Sequence, residues 1–240
     1  MGRIDAFRSN MGESGVVMST LSHSLEVDGF AVVPNVVDDA ECDSLAANIG
    51  ACEGIGAGSR TLLGLPWCRE LARRLCANGL VAPMLPVNAV AVQCTLFDKS
   101  PAKNWLVSLH QDLSIPVKRR VDSAECSGWS EKEGHVYVQP PVRVLEMLVA
   151  VRVHVDACPP ESGPLRVVPG SHAFGRLDRA RSEEMRKERG EMVVPVPRGG
   201  ALVMRPMSLH ASSKATEPKA RRVLHFVFGP LSLPLGLEWG

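Results

Sequence analysis

The stretch Trp105-Leu106-Val107-Ser108-Leu109-His110-Gln111-Asp112-Leu113-Ser114-Ile115-Pro116-Val117 restricts the fold more than any other. Apolar residues alternate along it and Pro116 ends it, so it reads as a β-strand, and a side-chain period of two sets His110 and Asp112 on one face. An imidazole and a carboxylate presented side by side can share a metal ion. A second imidazole from elsewhere in the chain completes a 2-His-1-carboxylate facial triad, which suits non-haem Fe(II) and leaves coordination positions open.

Spacing alone does not single out this pair. Seven histidines in 240 residues, with 26 acidic residues to meet two positions on, give about 0.8 accidental His-x-Asp/Glu matches. A second match stands at His154-Val155-Asp156, also at the end of a β-like run.

With 240 residues, 45% hydrophobic and 22% charged, the chain has enough apolar surface for one large core. Its 18 Pro and 21 Gly imply many turns and therefore short strands. The 27 basic residues nearly balance the 26 acidic ones, so neither a nucleic-acid footprint nor a membrane-binding patch is expected. Seven cysteines without a Cys-x-x-Cys pair fit neither a disulfide framework nor a zinc site. Reduced thiols in a cytoplasmic protein are expected instead. Neither a secretory leader nor an apolar run of about 18 residues is visible.

Along the chain, residues 1–24 show no sustained periodicity and read as a flexible arm, which leaves 25–240 as a single domain with N-terminal helices. Gly29 to Pro34 reads as a strand, Asp38 to Ile49 as a helix with an Asp cap, and Trp67 to Cys76 as an amphipathic helix. Strands are predicted from Ala89 to Phe97, through the organising stretch, from Val142 to Val155, at Gly199 to Met204 and from Arg222 to Phe228. Between Lys118 and Pro141 lies a polar segment longer than most connections, with the character of a binding loop, whose Trp129, His135 and Tyr137 either face a substrate or only pin the loop down. A charged helix is predicted from Ser182 to Glu188. Short helices followed by about eight short strands give an α+β, mainly β chain. Its body is predicted to be a jelly-roll barrel, a double-stranded β-helix with flanking helices, wide enough for one metal and a small ligand.

With Leu109-His110-Gln111-Asp112, the segment Ser162-Gly163-Pro164-Leu165-Arg166-Val167-Val168-Pro169-Gly170-Ser171-His172, and His210 followed eleven residues later by Arg221, the chain resembles the phytanoyl-CoA dioxygenase family of Fe(II)/2-oxoglutarate oxygenases. The resemblance spans about residues 28–230. The family places its metal pair before the other two segments, which selects His110 and Asp112 over His154 and Asp156.

The resemblance implies that His110, Asp112 and His210 bind iron. It implies that Arg221 pairs with the distal carboxylate of 2-oxoglutarate, which the guanidinium fork matches bidentately. Arg222 is the rival, one residue on and facing the other way. Ser212 and Gln93 occupy positions where relatives contact the cosubstrate or an iron-bound water. The implied chemistry consumes O2, converts 2-oxoglutarate to succinate and CO2, and hydroxylates a substrate C–H bond. Related halogenases lack the carboxylate, so Asp112 favours hydroxylation. Desaturation, epimerisation or cyclisation at the same centre is the alternative, and a non-catalytic ligand-binding jelly roll is the reading from another class. With neither a C-terminal Ser-Lys-Leu nor a patch for CoA phosphates, a small-molecule metabolite is expected as substrate in place of an acyl-CoA. Arg152, Glu146, Trp129 and His135 are the candidate substrate contacts.

Overall fold

The computed structural model describes residues 4–240 apart from 53, 55 and 218, and side chains from residue 16 onward. The N-terminal part is helical, with α1 (Ile4–Val27), α2 (Asp39–Gly50) and α3 (Pro66–Ala77) around strand β1 (Phe30–Val33). Asp38 caps α2 by accepting from the Glu41 backbone N–H at 2.8 Å, and Pro66 opens α3 where a missing N–H is harmless. Then come β2 (Val90–Lys99), β3 (Val107–His110), β4 (Ile115–Val117), β5 (Ser127–Lys132), β6 (His135–Gln139), the short helix α4 (Val142–Leu145) and β7 (Val149–His154). The chain finishes with β8 (Leu165–Val167), α5 (Arg179–Arg189), β9 (Met192–Val194), β10 (Ala201–Met204), β11 (His210–Ser212) and β12 (Arg221–Gly229).

A five-stranded sheet, β1-β10-β7-β12-β2, faces a four-stranded one, β3-β11-β8-β9. All their strand pairs are antiparallel. Alternation along β7 explains the layering. Val149, Val151 and Val153 join the core under α2 and α3, with Leu45, Leu71, Leu75, Phe226 and Phe228. Ala150, on the opposite face, packs between the sheets with Phe30, Leu165, Val167, Leu202 and Met204. Each fully buried Val, Leu or Phe contributes ~1.5–3 kcal/mol relative to exposure, so the two apolar layers hold the sheets at a fixed separation. Arg152 and His154, next along that inner face, are also buried.

The mainly β jelly-roll class agrees with the sequence reading, but the hydrogen bonding does not close into a barrel: β1, β2, β3 and β9 are sheet edges. Several local expectations change. The organising stretch is two strands, because the chain leaves β3 after His110 and enters β4 in a third sheet, β4-β6-β5. The segment after Lys118 carries a hairpin, with Glu133 and Gly134 at positive φ between paired Lys132 and His135. Its predominantly polar strand β5, Ser-Gly-Trp-Ser-Glu-Lys, hides the strand period. The predicted strand from Val142 begins as α4 and becomes strand only at Val149. Where the sequence reads as an arm over 1–24, residues from Ile4 are helical; α1 rests Leu21 and Leu25 on the helix-side core, and residues 1–3 lie outside the described residues. Among the described residues no helix is long and apolar enough to cross a membrane.

Gly163, at the turn before β8, adopts φ +64°, and a Cβ there would lie 2.6 Å from the Ser213 carbonyl oxygen. Its own carbonyl accepts from Arg221. Gly163→Ala is therefore expected to destabilise the fold by about 1–3 kcal/mol, read as a lower urea midpoint at unchanged slope; an unchanged midpoint would show that the turn is not constrained.

Candidate metal and keto-acid site

β3 and β11 pair so that His110 stands directly opposite His210. The two imidazole centroids are 4.2 Å apart. Just past the end of β3, the Asp112 backbone N–H donates to the Pro206 carbonyl at 2.9 Å, which pins the carboxylate beside both rings. Asp112 Oδ1 lies 3.6 Å from His110 Nε2, and Oδ2 lies 3.8 Å from His210 Nε2. These separations are too long for hydrogen bonds. They approach the spacing of neighbouring donors around one ion, and the three ligand atoms all fall within 4.8 Å of one another. His110 and Asp112 thus share a site through a turn off the strand end rather than through alternation.

Both rings are oriented alike. His110 Nδ1 sits 2.7 Å from the Ser108 carbonyl and His210 Nδ1 2.9 Å from the Ser208 carbonyl. A carbonyl accepts only, so each Nδ1 carries the proton and each Nε2 turns a lone pair toward Asp112. The same tripeptide, Ser-Leu-His, supplies both arrangements, at 108–110 and 208–210. That repetition is a sequence signal for the second histidine which the sequence reading did not use.

The electrostatics favour the ligating protonation states of His210 and Asp112, and at His110 a bound cation must displace a proton that Asp112 helps to hold. Burial pushes His210 down to about 4 and His225 to about 3, so both are neutral near pH 7. Burial alone would raise the Asp112 carboxyl, but the His110 contact and the nearby His210 and His225 outweigh it and hold it below the usual carboxylate range. His110 is lowered by burial and raised more by Asp112, and ends above its ordinary value. An ion bound by two neutral imidazoles and one carboxylate fits this set.

A cavity of about 250 Å³ opens over these groups, between β2 and β12 on one side and β3 and β11 on the other. Arg221 lines it, buried, with Nη1 donating to the Gly163 carbonyl at 2.5 Å and lying 3.4 Å from Cys158 Sγ, while Nε has no partner. Arg222 faces away and pairs with Asp156 at 2.7 and 2.8 Å. This occupies the acid of the second His-x-Asp match, and His154 is buried away from the cavity with its Nδ1 unpartnered. Ser212 lines the cavity and accepts from Lys99 Nζ at 3.3 Å. Gln93 donates to Thr95 Oγ1 at 2.9 Å and accepts from the Tyr137 hydroxyl at 3.0 Å. Arg152 also lines it, with Nη1 at 2.7 Å from His225 Nδ1 and its guanidinium 4.7 Å from the Phe97 ring centroid.

The remaining candidates lie elsewhere. Glu146 is exposed beyond α4, beside Met147 and Arg205. Trp129 packs into the small core around Ile115 and Val138, with Arg120 over its ring. His135 is exposed at the hairpin turn. The sequence reading also missed Lys99: it ended the strand at Phe97, whereas β2 continues to Lys99 and keeps 93, 95, 97 and 99 on one face. Burial and the nearby Arg221 charge push this ammonium down to about 8.

A family model described as phytanoyl-CoA dioxygenase (PhyH) matches residues 25–223. The chain belongs to the phytanoyl-CoA dioxygenase family. It is accordingly a 2-oxoglutarate-dependent oxygenase that uses iron, 2-oxoglutarate and O2. Solved structures with the same fold include the epimerase SnoN of nogalamycin biosynthesis, in complex with Fe3+, alpha ketoglutarate and nogalamycin RO. That structure has 17% identity and a TM-score of 0.67, covering 92% of each chain. The carbocyclase SnoK, also from nogalamycin biosynthesis, has 15% identity and a TM-score of 0.61, covering 88% of this chain and 83% of its own. HygX from Streptomyces hygroscopicus, with iron bound, has 19% identity and a TM-score of 0.56, covering 88% of this chain and 86% of its own. Comparison with curated proteins gives no match.

His210 and His225 in this cavity, like the buried His154, ionise more readily unfolded than folded. Their contribution to stability is present above the ordinary histidine value of about 6.5 and is lost as pH falls toward about 4. His110 contributes with the opposite sign. The metal-free protein is therefore expected to lose thermal stability between pH 6.5 and 4, with a shallower loss in His225→Gln. An equal slope in the variant would mean that His225 is not held neutral.

Proposed function

We propose that His110, Asp112 and His210 hold the ferrous ion, and that the enzyme hydroxylates an unactivated C–H bond of a small metabolite. The observation that carries this reading is the convergence of three ligand atoms within 4.8 Å, with both imidazoles oriented through Nδ1. When bound, iron and 2-oxoglutarate supply the oxidising chemistry, consuming O2 and releasing succinate and CO2. The chain's own residues do the rest. Arg221 receives the distal carboxylate, its unpartnered Nε leaving a donor free. Lys99 and Ser212 supply further donors at the same end. Arg152 donates to His225 Nδ1, so the proton of that ring sits on Nε2, which faces Asp112 Oδ2 at 3.9 Å. Phe97, Val107 and Leu165 give the cavity wall its apolar surface.

Retention of a carboxylate at Asp112 supports hydroxylation over halide transfer. Seven free thiols suit a reducing cytoplasm. Because Glu146, Trp129 and His135 do not line the cavity, only Arg152 remains of the four substrate candidates.

Anaerobic addition of Fe(II) and 2-oxoglutarate is expected to give the visible metal-to-ligand charge-transfer band of a chelated keto acid. His210→Ala is expected to abolish it. Arg221→Met is expected to raise the 2-oxoglutarate concentration needed by about tenfold or more, as the loss of a charge-assisted pair implies. No band with the wild-type protein, or an undiminished band in His210→Ala, would refute the assignment.

A further inference from the structure

The cavity has two cationic ends, and the cosubstrate reaches only one. Strand register orders them: Arg221 stands opposite Lys99, His225 opposite Thr95, and Val227 opposite Gln93. From Lys99 to Gln93 the strand advances about 20 Å. The metal ligands lie between, since His225 Nε2 is 3.9 Å from Asp112 Oδ2. A five-carbon keto diacid chelated there and anchored at Arg221 cannot also occupy the Gln93 end.

That second end is built from the β5–β6 hairpin and the connection between α2 and α3. Tyr137 donates to Gln93 at 3.0 Å, and Lys132 Nζ lies 4.8 Å from the centre of the Tyr137 ring. Arg60 lines the same end. Lys132 has no ion-pair partner among the described residues, and the Arg60 guanidinium meets Glu133 only at 3.8 Å. Deeper in, Arg152 is 6% exposed with Nε unpartnered. Against these cations Asp112 is the one carboxylate among the lining residues. Iron is balanced by Asp112 and the chelating carboxylate, and Arg221 by the distal one. Arg152 and Lys132 are left over, and Arg60 is offset only by its longer contact with half-exposed Glu133 at the rim. Positive charge gathered in a confined cavity raises the local concentration of anions and steers them inward.

We propose that the Lys132–Arg60 end is the substrate's anion subsite: it takes the carboxylate or phosphate of a compact anionic metabolite and sets the reacting C–H bond over the metal. This rests on the oxygenase reading above. A volume of about 250 Å³, below the usual range of about 300–1,000 Å³ for small-molecule pockets, together with polar walls at this end, suits a short charged molecule better than a long alkyl chain.

The test uses the anaerobic Fe(II)–2-oxoglutarate protein at low ionic strength, titrated with ethyl phosphate, butyrate and butanamide while the charge-transfer band is recorded. Ethyl phosphate or butyrate is expected to shift the band saturably, at least tenfold more tightly than butanamide. Whichever of the two binds tighter identifies the anionic group. Lys132→Met and Arg60→Met are expected to weaken the anion at least tenfold, and Lys132→Arg to retain it within about threefold. A normal band that responds equally to all three probes, or to none, overturns the subsite and leaves the oxygenase reading intact. So does an anion that erases the band by displacing 2-oxoglutarate, or one whose binding survives Lys132→Met. Absence of any band refutes the underlying reading instead.

Discussion

The pairing of β3 with β11 is the contact on which the site depends. It brings two imidazoles side by side, their planes inclined by 50°, from strands a hundred residues apart, and each ring is fixed by the carbonyl two residues before it. Neither β3 nor β11 is held by length, since they have four and three residues. They are held because β11 also pairs with β8 and the apolar layer behind β8 locks the small sheet onto the large one. Side-chain placement follows from that packing, because a close-packed interior leaves few alternative arrangements.

Charge is distributed with the same economy. Isolated buried ions are expensive, yet the inner faces of β2, β7 and β12 present Lys99, Arg152 and Arg221 with few internal acceptors. Such a lining is stable only because several donors rest on backbone carbonyls, a neutral imidazole and an aromatic face. The donors left unpaired, the Nε atoms of Arg152 and Arg221, mark where anionic ligands complete the structure.

Much of this was legible in the sequence. The short, turn-punctuated strands point to the jelly-roll class, and His110, Asp112, His210, Arg221, Ser212, Gln93 and Arg152, all candidates from the sequence, line one cavity. The local reasons were less legible. Period two suggested one strand through His110 and Asp112, but a chain that switches sheets between them brings both to the same place by a turn. Lys99 was hidden because a polar Asp98-Lys99 end looks like a loop, and β2 gains those residues from pairing with β12. Of Trp129, His135 and Tyr137, which read as able to face a substrate from a long loop, Tyr137 does line the cavity; the hairpin that forms there sends Trp129 to a small core and His135 to solvent, and adds Lys132, which the polar loop pattern hid. Each miss arises where tertiary pairing overrides local pattern.

His225 makes the central claim open to a decisive measurement, because its Nε2 stands as near to Asp112 Oδ2 as that of His210 does, 3.9 against 3.8 Å. X-ray absorption at the iron edge of the anaerobic 2-oxoglutarate complex counts the imidazoles bound to the metal. Two are expected in the wild-type protein, with the same two in His225→Gln. Three in the wild type, or one fewer in His225→Gln, would contradict the assignment of the metal to His110, Asp112 and His210.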